Sequence, residues 1–455
     1  MLGFELLTVV IGILASAGFL WALIAVKDVF HPLAYLMPMV VFLYVYLPYE
    51  LIDYSAVLFL FSDSTLVTVQ MLNGACILAL IVGCWMGGRH TRSAEIIPAG
   101  LEPWQTQRVF GIAILLGLVS LIAFAINVNN VGGLFEAYSV EKGGGTAESG
   151  YTRDAIFWSI SAVAALAACI RSEGMRKRYA IAGLLFISPM FIHGLLGARR
   201  GPTFTAFAAL AATYYLGRKK RPALLLFLGG GALIGLLLML IVTFRDQFRL
   251  GSDLLQNPAT ALNTMMDTMD ELRSESTERT LESNEFIYGV DVVNRFSAGI
   301  DRYYWGTRIL TIVFIRPIPS QWWPNKYVDV GMARYLINVG LGGVDEISAI
   351  ANGAAPGFVA DLFAEFSWAA IPASFLIGWC YSRIWRNAQE RGGIWLPLYI
   401  LFVVFSIFFV MQTLEAILYR MLFTTLPILM LWAFFVRRKA RTQQLATTHL
   451  ENSLS

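Results

Sequence analysis

Long apolar runs, separated mostly by short charged turns, recur from one end of this 455-residue chain to the other. A bilayer crossing needs roughly 20 mainly apolar residues, because each backbone hydrogen bond must close within its own helix. On that template spans are expected near 4–26, 32–51, 65–87, 108–128, 154–171, 179–197, 203–217, 222–243, 357–382, 394–412 and 415–436, about eleven in all. Pro38 and Pro48 fall inside the second span, and the seventh is short. Hydrophobic residues make up 57% of the chain and charged ones only 14%, against about 25% charged in a soluble domain. Too few charges remain to wet a sphere of this size, so lipid must cover the excess. The expected fold is all-α, a polytopic transmembrane helical bundle. Residues 1–243 would form the first eight spans, 244–356 a large, partly helical loop domain, 357–436 the last three spans, and 437–455 a tail.

Orientation follows from basic residues in short connections. Lys27; Arg89, Arg92 and Arg108; Arg171, Arg176, Lys177 and Arg178; Arg218, Lys219, Lys220 and Arg221; and Arg383, Arg386 and Arg391 occupy alternate turns, and Arg437, Arg438, Lys439 and Arg441 open the tail. All fall on one side of the expected spans. With an odd number of crossings this puts the C-terminus in the cytoplasm and the N-terminus outside. The opening MLGFELLTVV has no basic segment and no small-residue cleavage site, so its apolar run reads as a retained helix.

The opposite face holds informative exceptions. Arg199 and Arg200 occupy the turn Gly197-Ala198-Arg199-Arg200-Gly201-Pro202, Arg245 and Arg249 close the eighth span, and Arg420 lies in the first turns of the last. Charges at membrane depth are costly and mark functional positions by default. Together with Arg316 and Lys326 they form a set of outer cations suited to gripping phosphate oxygens, for which arginine offers a bidentate fork. The alternative is that each snorkels to headgroups or pairs locally with Asp246, Asp361 or Glu415.

Within the long loop, Asn257-Pro258 reads as a helix start. Leu262, Met265, Met266, Met269 and Leu272 then recur at helical spacing. A second helix is expected near 286–304, ending in Arg302-Tyr303-Tyr304-Trp305. The following Thr311–Ile315 run is too short to span and is halted by Pro317, Pro319 and Pro324. It is expected to re-enter or lie along the interface, presenting Arg316 and Lys326 to the outer leaflet. Gly340 to Gly357 reads as a connection into the ninth span. Gly143-Gly144-Gly145 reads as a loop without the Lys-Ser/Thr that a phosphate cradle needs.

Asp361 and Glu365 lie four apart at the start of the ninth span, on one helix face. Either they or Glu415 would serve as general base toward a hydroxyl, or as charge partners for the arginines. Tyr303, Tyr304, Trp305, Trp322 and Trp323 would stack on sugar faces or form an interfacial aromatic belt. Cys76, Cys84, Cys169 and Cys380 sit in or near apolar runs, and His31, His90, His193 and His449 lack ligand spacing, so no metal site is expected.

Three stretches resemble the Wzy-type oligosaccharide repeat-unit polymerases of O-antigen and exopolysaccharide synthesis. Gly197-Ala198-Arg199-Arg200-Gly201 is similar to the family's Gly- and Arg-containing turn between middle spans. Ile318-Pro319 followed by Pro324-Asn325-Lys326 is similar to an Ile-Pro-Arg, Phe-Pro-x-Lys-Pro pattern, with Ser320 and Tyr327 departing from it. Asp361-Leu362-Phe363-Ala364-Glu365-Phe366-Ser367 looks like Glu-Leu-Tyr-Ala-Asn-Phe-Gly, with Glu365 and Ser367 departing. Span count, loop placement and the late Arg420 also fit.

The resemblance implies a GT-C-like polymerase/ligase fold in a bacterial inner membrane, with the loop in the periplasm. It implies transfer of a growing glycan from undecaprenyl diphosphate onto a lipid-linked repeat unit, without nucleotide sugar or metal cofactor. Arg199, Arg200 and Arg420 would hold the leaving diphosphate in place of a divalent cation. Lys326 and Arg316, with Arg245, Glu415, Tyr303, Trp322 and Trp323 around them, would bind the second lipid diphosphate or incoming sugar, and Asp361 or Glu365 would orient or deprotonate the attacking hydroxyl. A chain-length regulator and a flippase are the implied protein partners; no nucleic acid is expected. Two other readings compete. A lipid-linked glycan ligase has a similar layout but uses a loop histidine, and no histidine lies between His193 and His449. A lipid or oligosaccharide flippase would carry inverted repeats and midplane charges, whereas the charges here gather at one face.

Overall fold

A computed structural model describes residues 2–51, 60–89, 101–139, 150–197, 199–243, 284–330 and 355–437. The described chain is all-helical, with no strand. In order the principal helices are α1 (Leu2–Ile24), α2 (Pro32–Val41, continued by a π turn and a short helix to Glu50), α3 (Asp63–Gly88), α4 (Pro103–Asn130), α5 (Leu134–Ser139), α6 (Trp158–Glu173), α7 (Lys177–Leu195), α8 (Arg200–Gly217), α9 (Leu224–Thr243), α10 (Glu285–Ser297), α11 (Thr307–Leu310, continued by a π turn to Ile315), α12 (Lys326–Asp329), α13 (Gly357–Phe366), α14 (Ala370–Glu390), α15 (Trp395–Met411) and α16 (Leu414–Trp432). Among the described residues, eight helices are long and apolar enough to cross a membrane. The chain is a multi-pass membrane protein. The three other expected spans fall on α8, α9 and α15, which are helical but outside those eight.

The faces turned outward are as oily as those turned inward. On α1, Phe4, Thr8, Ile11, Ala15, Gly18 and Ala22 are buried, at alternating spacings of four and three that make one helical stripe. The rest of its circumference exposes Leu2, Leu6, Val9, Val10, Ile13, Leu20 and Ile24. α9 likewise exposes Leu224, Leu225, Leu226, Leu228, Leu233 and Leu236. A helix that is apolar all round is either buried or lipid-facing, and these are not buried.

The chain forms two compact units. The first comprises residues 1–91, 272–385 and 405–422. In it α1 packs on α2 and α3, and α10 packs on α13. α3 meets α14 by close backbone approach. A Cβ at Gly83 would lie 2.1 Å from Phe375 O, one at Gly87 2.5 Å from Trp379 O, and one at Gly378 2.2 Å from Leu80 O. Gly83 and Gly87 are four apart, the small-residue spacing by which membrane helices pack without a hydrophobic drive. Polar glue assists: Gln70 Nε2 donates to Thr8 Oγ1 at 2.8 Å, and Asn73 Nδ2 donates to Gln70 Oε1 at 3.1 Å. The bond to Thr8 joins α3 to α1, and in lipid such an interhelical bond contributes on the order of 1 kcal/mol, while Asn73 to Gln70 lies within α3.

The second unit comprises residues 92–271, 386–404 and 423–455. α6 is its axis, buried at every position from Ser159 to Ile170 and packed by α4, α7 and α8. Its five alanines let those neighbours approach. Ser161 Oγ and Trp158 Nε1 donate to the carbonyls of Thr424 and Phe423 at 2.8 and 3.0 Å.

Helix α10 ends at Ser297, not at the expected 304. Gly299 adopts φ +74, and this left-handed residue stops the helix as a glycine C-cap does.

Candidate functional site

In the first unit, three segments distant in sequence meet at Arg308. Its Nη2 lies 2.7 Å from Asp361 Oδ1 and 3.3 Å from the Asp361 carbonyl, and its Nε donates to Glu365 Oε1. The remaining carboxylate oxygens accept backbone amides. Leu414 N donates to Asp361 Oδ2 at 2.6 Å, and Gly306 N to Glu365 Oε2 at 3.0 Å. All three side chains are buried. Burial alone would pull the Arg308 guanidinium toward neutrality, but the two carboxylates outweigh it and hold the group above its ordinary range. Both acids therefore face one side of α13, as their spacing requires, and among the described residues their cationic partner is Arg308. Every carboxylate oxygen already has a donor, which favours holding and orienting over proton abstraction.

The stretch carrying these acids is bounded by glycines with structural work. Gly357 has φ +75, and a Cβ there would meet Leu43 at 2.7 Å and Tyr44 Oη at 2.8 Å. Tyr44 Oη accepts from Val359 N at 3.2 Å and so fixes the first turn of α13. Gly378, at the other end, makes the crossing with α3.

Arg316 stacks over Tyr419, 3.7 Å from the ring centroid. The next residue, Arg420, lies 4.8 Å over Phe408 and donates from Nη1 to Gln412 Oε1 at 3.2 Å. The loop arginine is thus brought to the helix that carries the late one. Guanidinium groups laid on aromatic faces are held in place by the ring's negative face. Lys326 is placed differently from the expectation that it faces the outer leaflet. It is buried, and its ammonium donates to the carbonyls of Arg316 (3.0 Å) and Ile318. Burial first, and the Arg316 charge second, lower its pKa. Here Lys326 braces the turn that presents Arg316, because two orphan carbonyls satisfy its charge more cheaply than open lipid would.

Of the aromatics, Tyr303 packs on Phe296 and edge-on to Phe363, each with ring centroids 5.5 Å apart. Trp323 Nε1 donates to Asp329 Oδ2 at 2.5 Å, and Trp322 is exposed.

In the second unit, Arg199 caps α8 and Arg200 is its first residue. Arg199 N donates to Gly194 O at 2.8 Å, and Thr203 Oγ1 returns a bond to Arg199 O at 3.0 Å. The turn is tight enough to demand glycine: a Cβ at Gly194 would lie 2.3 Å from Thr203 Oγ1, and one at Gly197 2.4 Å from His193 O. Arg199 Nη1 lies 3.3 Å from His193 Nε2, and His193 Nδ1 lies 3.3 Å from Tyr138 Oη. Arginine has no acceptor, so Nε2 carries the lone pair and Nδ1 the hydrogen, donated toward the tyrosine oxygen. Nothing in the spacing of the histidines marked His193 as a partner of this turn. Arg199 and Arg200 thus stand at the end of α8 where the helix dipole favours negative charge.

Arg245, Arg249, the 257–272 amphipathic pattern, Gly143–Gly145 and Gly340 to Ala354 lie outside the described residues, as do the side chains of Arg200 and Glu415. Among the described residues no three His, Cys, Asp or Glu side chains group as a metal site. Comparison of the chain with protein-family models, with curated proteins and with solved structures found no match.

Proposed function

We propose that the chain is a glycosyltransferase of the membrane, a polymerase of lipid-linked oligosaccharide repeat units. In this reading it crosses a bacterial inner membrane about eleven times in a GT-C-like fold, with the N-terminus and long loop in the periplasm and the C-terminus in the cytoplasm. The terminal sugar hydroxyl of an incoming undecaprenyl-diphosphate-linked unit attacks the anomeric carbon of the growing glycan. The bond from that carbon to its own undecaprenyl diphosphate breaks, the electron pair leaves on the diphosphate, and the hydroxyl proton passes to a base or to water.

The observation that carries the reading is the arginine pair opening α8 beyond a glycine-built turn, with Arg199 braced by His193. Leaving-group charge is the main electrostatic demand of the reaction, and preorganised donors meet it without reorganisation. Arg199 and Arg200 are assigned to the leaving diphosphate and Arg316 to the acceptor lipid. Asp361 and Glu365, already saturated by Arg308 and backbone amides, orient the site. Cells carrying Arg199→Ala with Arg200→Ala are expected to insert the protein normally and to display a single capped repeat unit. Full-length polymer from that variant would remove the pair from the mechanism, and loss of even the single unit would point to a flippase.

A further inference from the structure

Thr307–Ile315, the piece formed by α11 and its π turn, has the reverse of a water-facing polarity. Arg308 and Thr311 point inward and are buried, together with Ile312. Leu310 and Phe314, one helical turn apart, are exposed by 55% and 65%. A segment packed against water hides its leucine and phenylalanine and leaves an arginine outside. Beyond the prolines the same inversion returns, with Lys326 buried and Trp322 and Val328 exposed.

The depth of the segment supplies the reason. Arg308 is bound to Asp361 and Glu365, which belong to the spanning helix Gly357–Glu390. Arg316 stacks on Tyr419, inside the span Ile417–Val436. Tyr304 N and Trp305 N donate to the carbonyls of Ala364 and Glu365 at 3.0 and 2.7 Å. The segment therefore lies beside the first turns of two helices that are long and apolar enough to cross a membrane. Its entry is a bend of two left-handed residues, Trp305 (φ 49) and Gly306 (φ 81), and Pro317 and Pro319 stop it from continuing as a span.

We propose that Thr307–Ile315 is a wedge immersed in the acyl chains of the leaflet on the loop side, with Leu310 and Phe314 against lipid and Arg308 as its latch. The expectation from sequence left re-entry and interfacial placement open and turned the cations to the leaflet; here the apolar side chains face lipid and the charges face protein. Lipid is the occupant because the wedge is bound to the first turns of two spanning helices and exposes large apolar side chains, as α1 and α9 do. The buried ion cluster then has a purpose: it ties the segment to α13. This placement is independent of the enzymatic reading.

Nitroxide labels at Leu310→Cys, Phe314→Cys and, as a water-facing control, Asp329→Cys test it in the full chain reconstituted in phospholipid vesicles, with the exposed Cys380 replaced by Ser. Collisions with molecular oxygen are expected to dominate at 310 and 314, and collisions with a water-soluble nickel chelate at 329. Nickel access dominating at 310 and 314 overturns the proposal. So does exclusion of both reagents with spin–spin broadening between copies, which would make the face a dimer contact. Adding Arg308→Gln to the Phe314→Cys protein is expected to raise nickel access severalfold, with Arg308→Lys intermediate. Unchanged access in both variants would show that Arg308 is not the latch.

Discussion

Arg308 Nη2 sits 2.7 Å from Asp361 Oδ1, joining the long loop to the start of a membrane span across 53 residues of sequence. Breaking a buried pair by removing one partner costs about 3–5 kcal/mol, since an uncompensated charge is left behind. Arg308→Met is therefore expected to destabilise strongly in thermal unfolding in detergent, more than Asp361→Asn or Glu365→Gln. Replacing all three by apolar residues should recover only part of the loss. The amides of Leu414 and Gly306 would still lack the acceptors they now have.

The α3–α14 crossing predicts a contrast between glycines of identical composition. Gly83→Ala places a Cβ 2.1 Å from Phe375 O and must push the helices apart. A loss of about 1–3 kcal/mol is expected, the usual cost of overpacking. Gly111→Ala, with nothing within 4 Å of its Cβ, should be neutral or slightly stabilising in the same melt.

Arg199 is held through His193, so the brace should be separable from the charge. His193→Ala is expected to reduce polymer synthesis by about fivefold, the effect of one hydrogen bond of about 1 kcal/mol. Tyr138→Phe should have a smaller effect in the same direction. Arg199→Ala should abolish the activity. Chain-length distributions from membranes of the three variants read the order directly.

Asp291 makes a pH-dependent prediction. Burial first, and Asp301 in addition, raise its pKa despite the opposing charge of Arg295. Its Oδ2 is buried without a hydrogen-bond partner. The native state therefore favours the protonated form, and this group's contribution to stability falls as pH rises through the folded pKa. Asp291→Asn, always neutral, should melt higher than the wild type at neutral pH. The gap should close as pH is lowered through that pKa.

Membrane spans were legible because their signal is local: length and apolarity decide a crossing wherever the helix packs. The pairing of Asp361 and Glu365 on one face was legible for the same reason, since it needs only helical spacing. Arg308 was not singled out, although an arginine beside Ile309-Leu310-Thr311-Ile312-Val313-Phe314-Ile315 is a charge entering an apolar run. Its partners lie more than 50 residues away, and no periodicity reports such a meeting. A cation near the interface snorkels by default, whereas two nearby carbonyls hold Lys326 inside, and the sequence does not report that meeting. His193 gave no metal-like spacing, and its use as a brace for Arg199 depends on the α7–α8 turn that two glycines permit.

The proposed glycan transfer, driven by arginines in place of a metal ion, has one direct test. Purified protein, supplied only with a purified undecaprenyl-diphosphate-linked repeat unit and a strong chelator, should build a ladder of polymer. No extension beyond one unit under any condition, or extension that stops when divalent cations are removed, would contradict it.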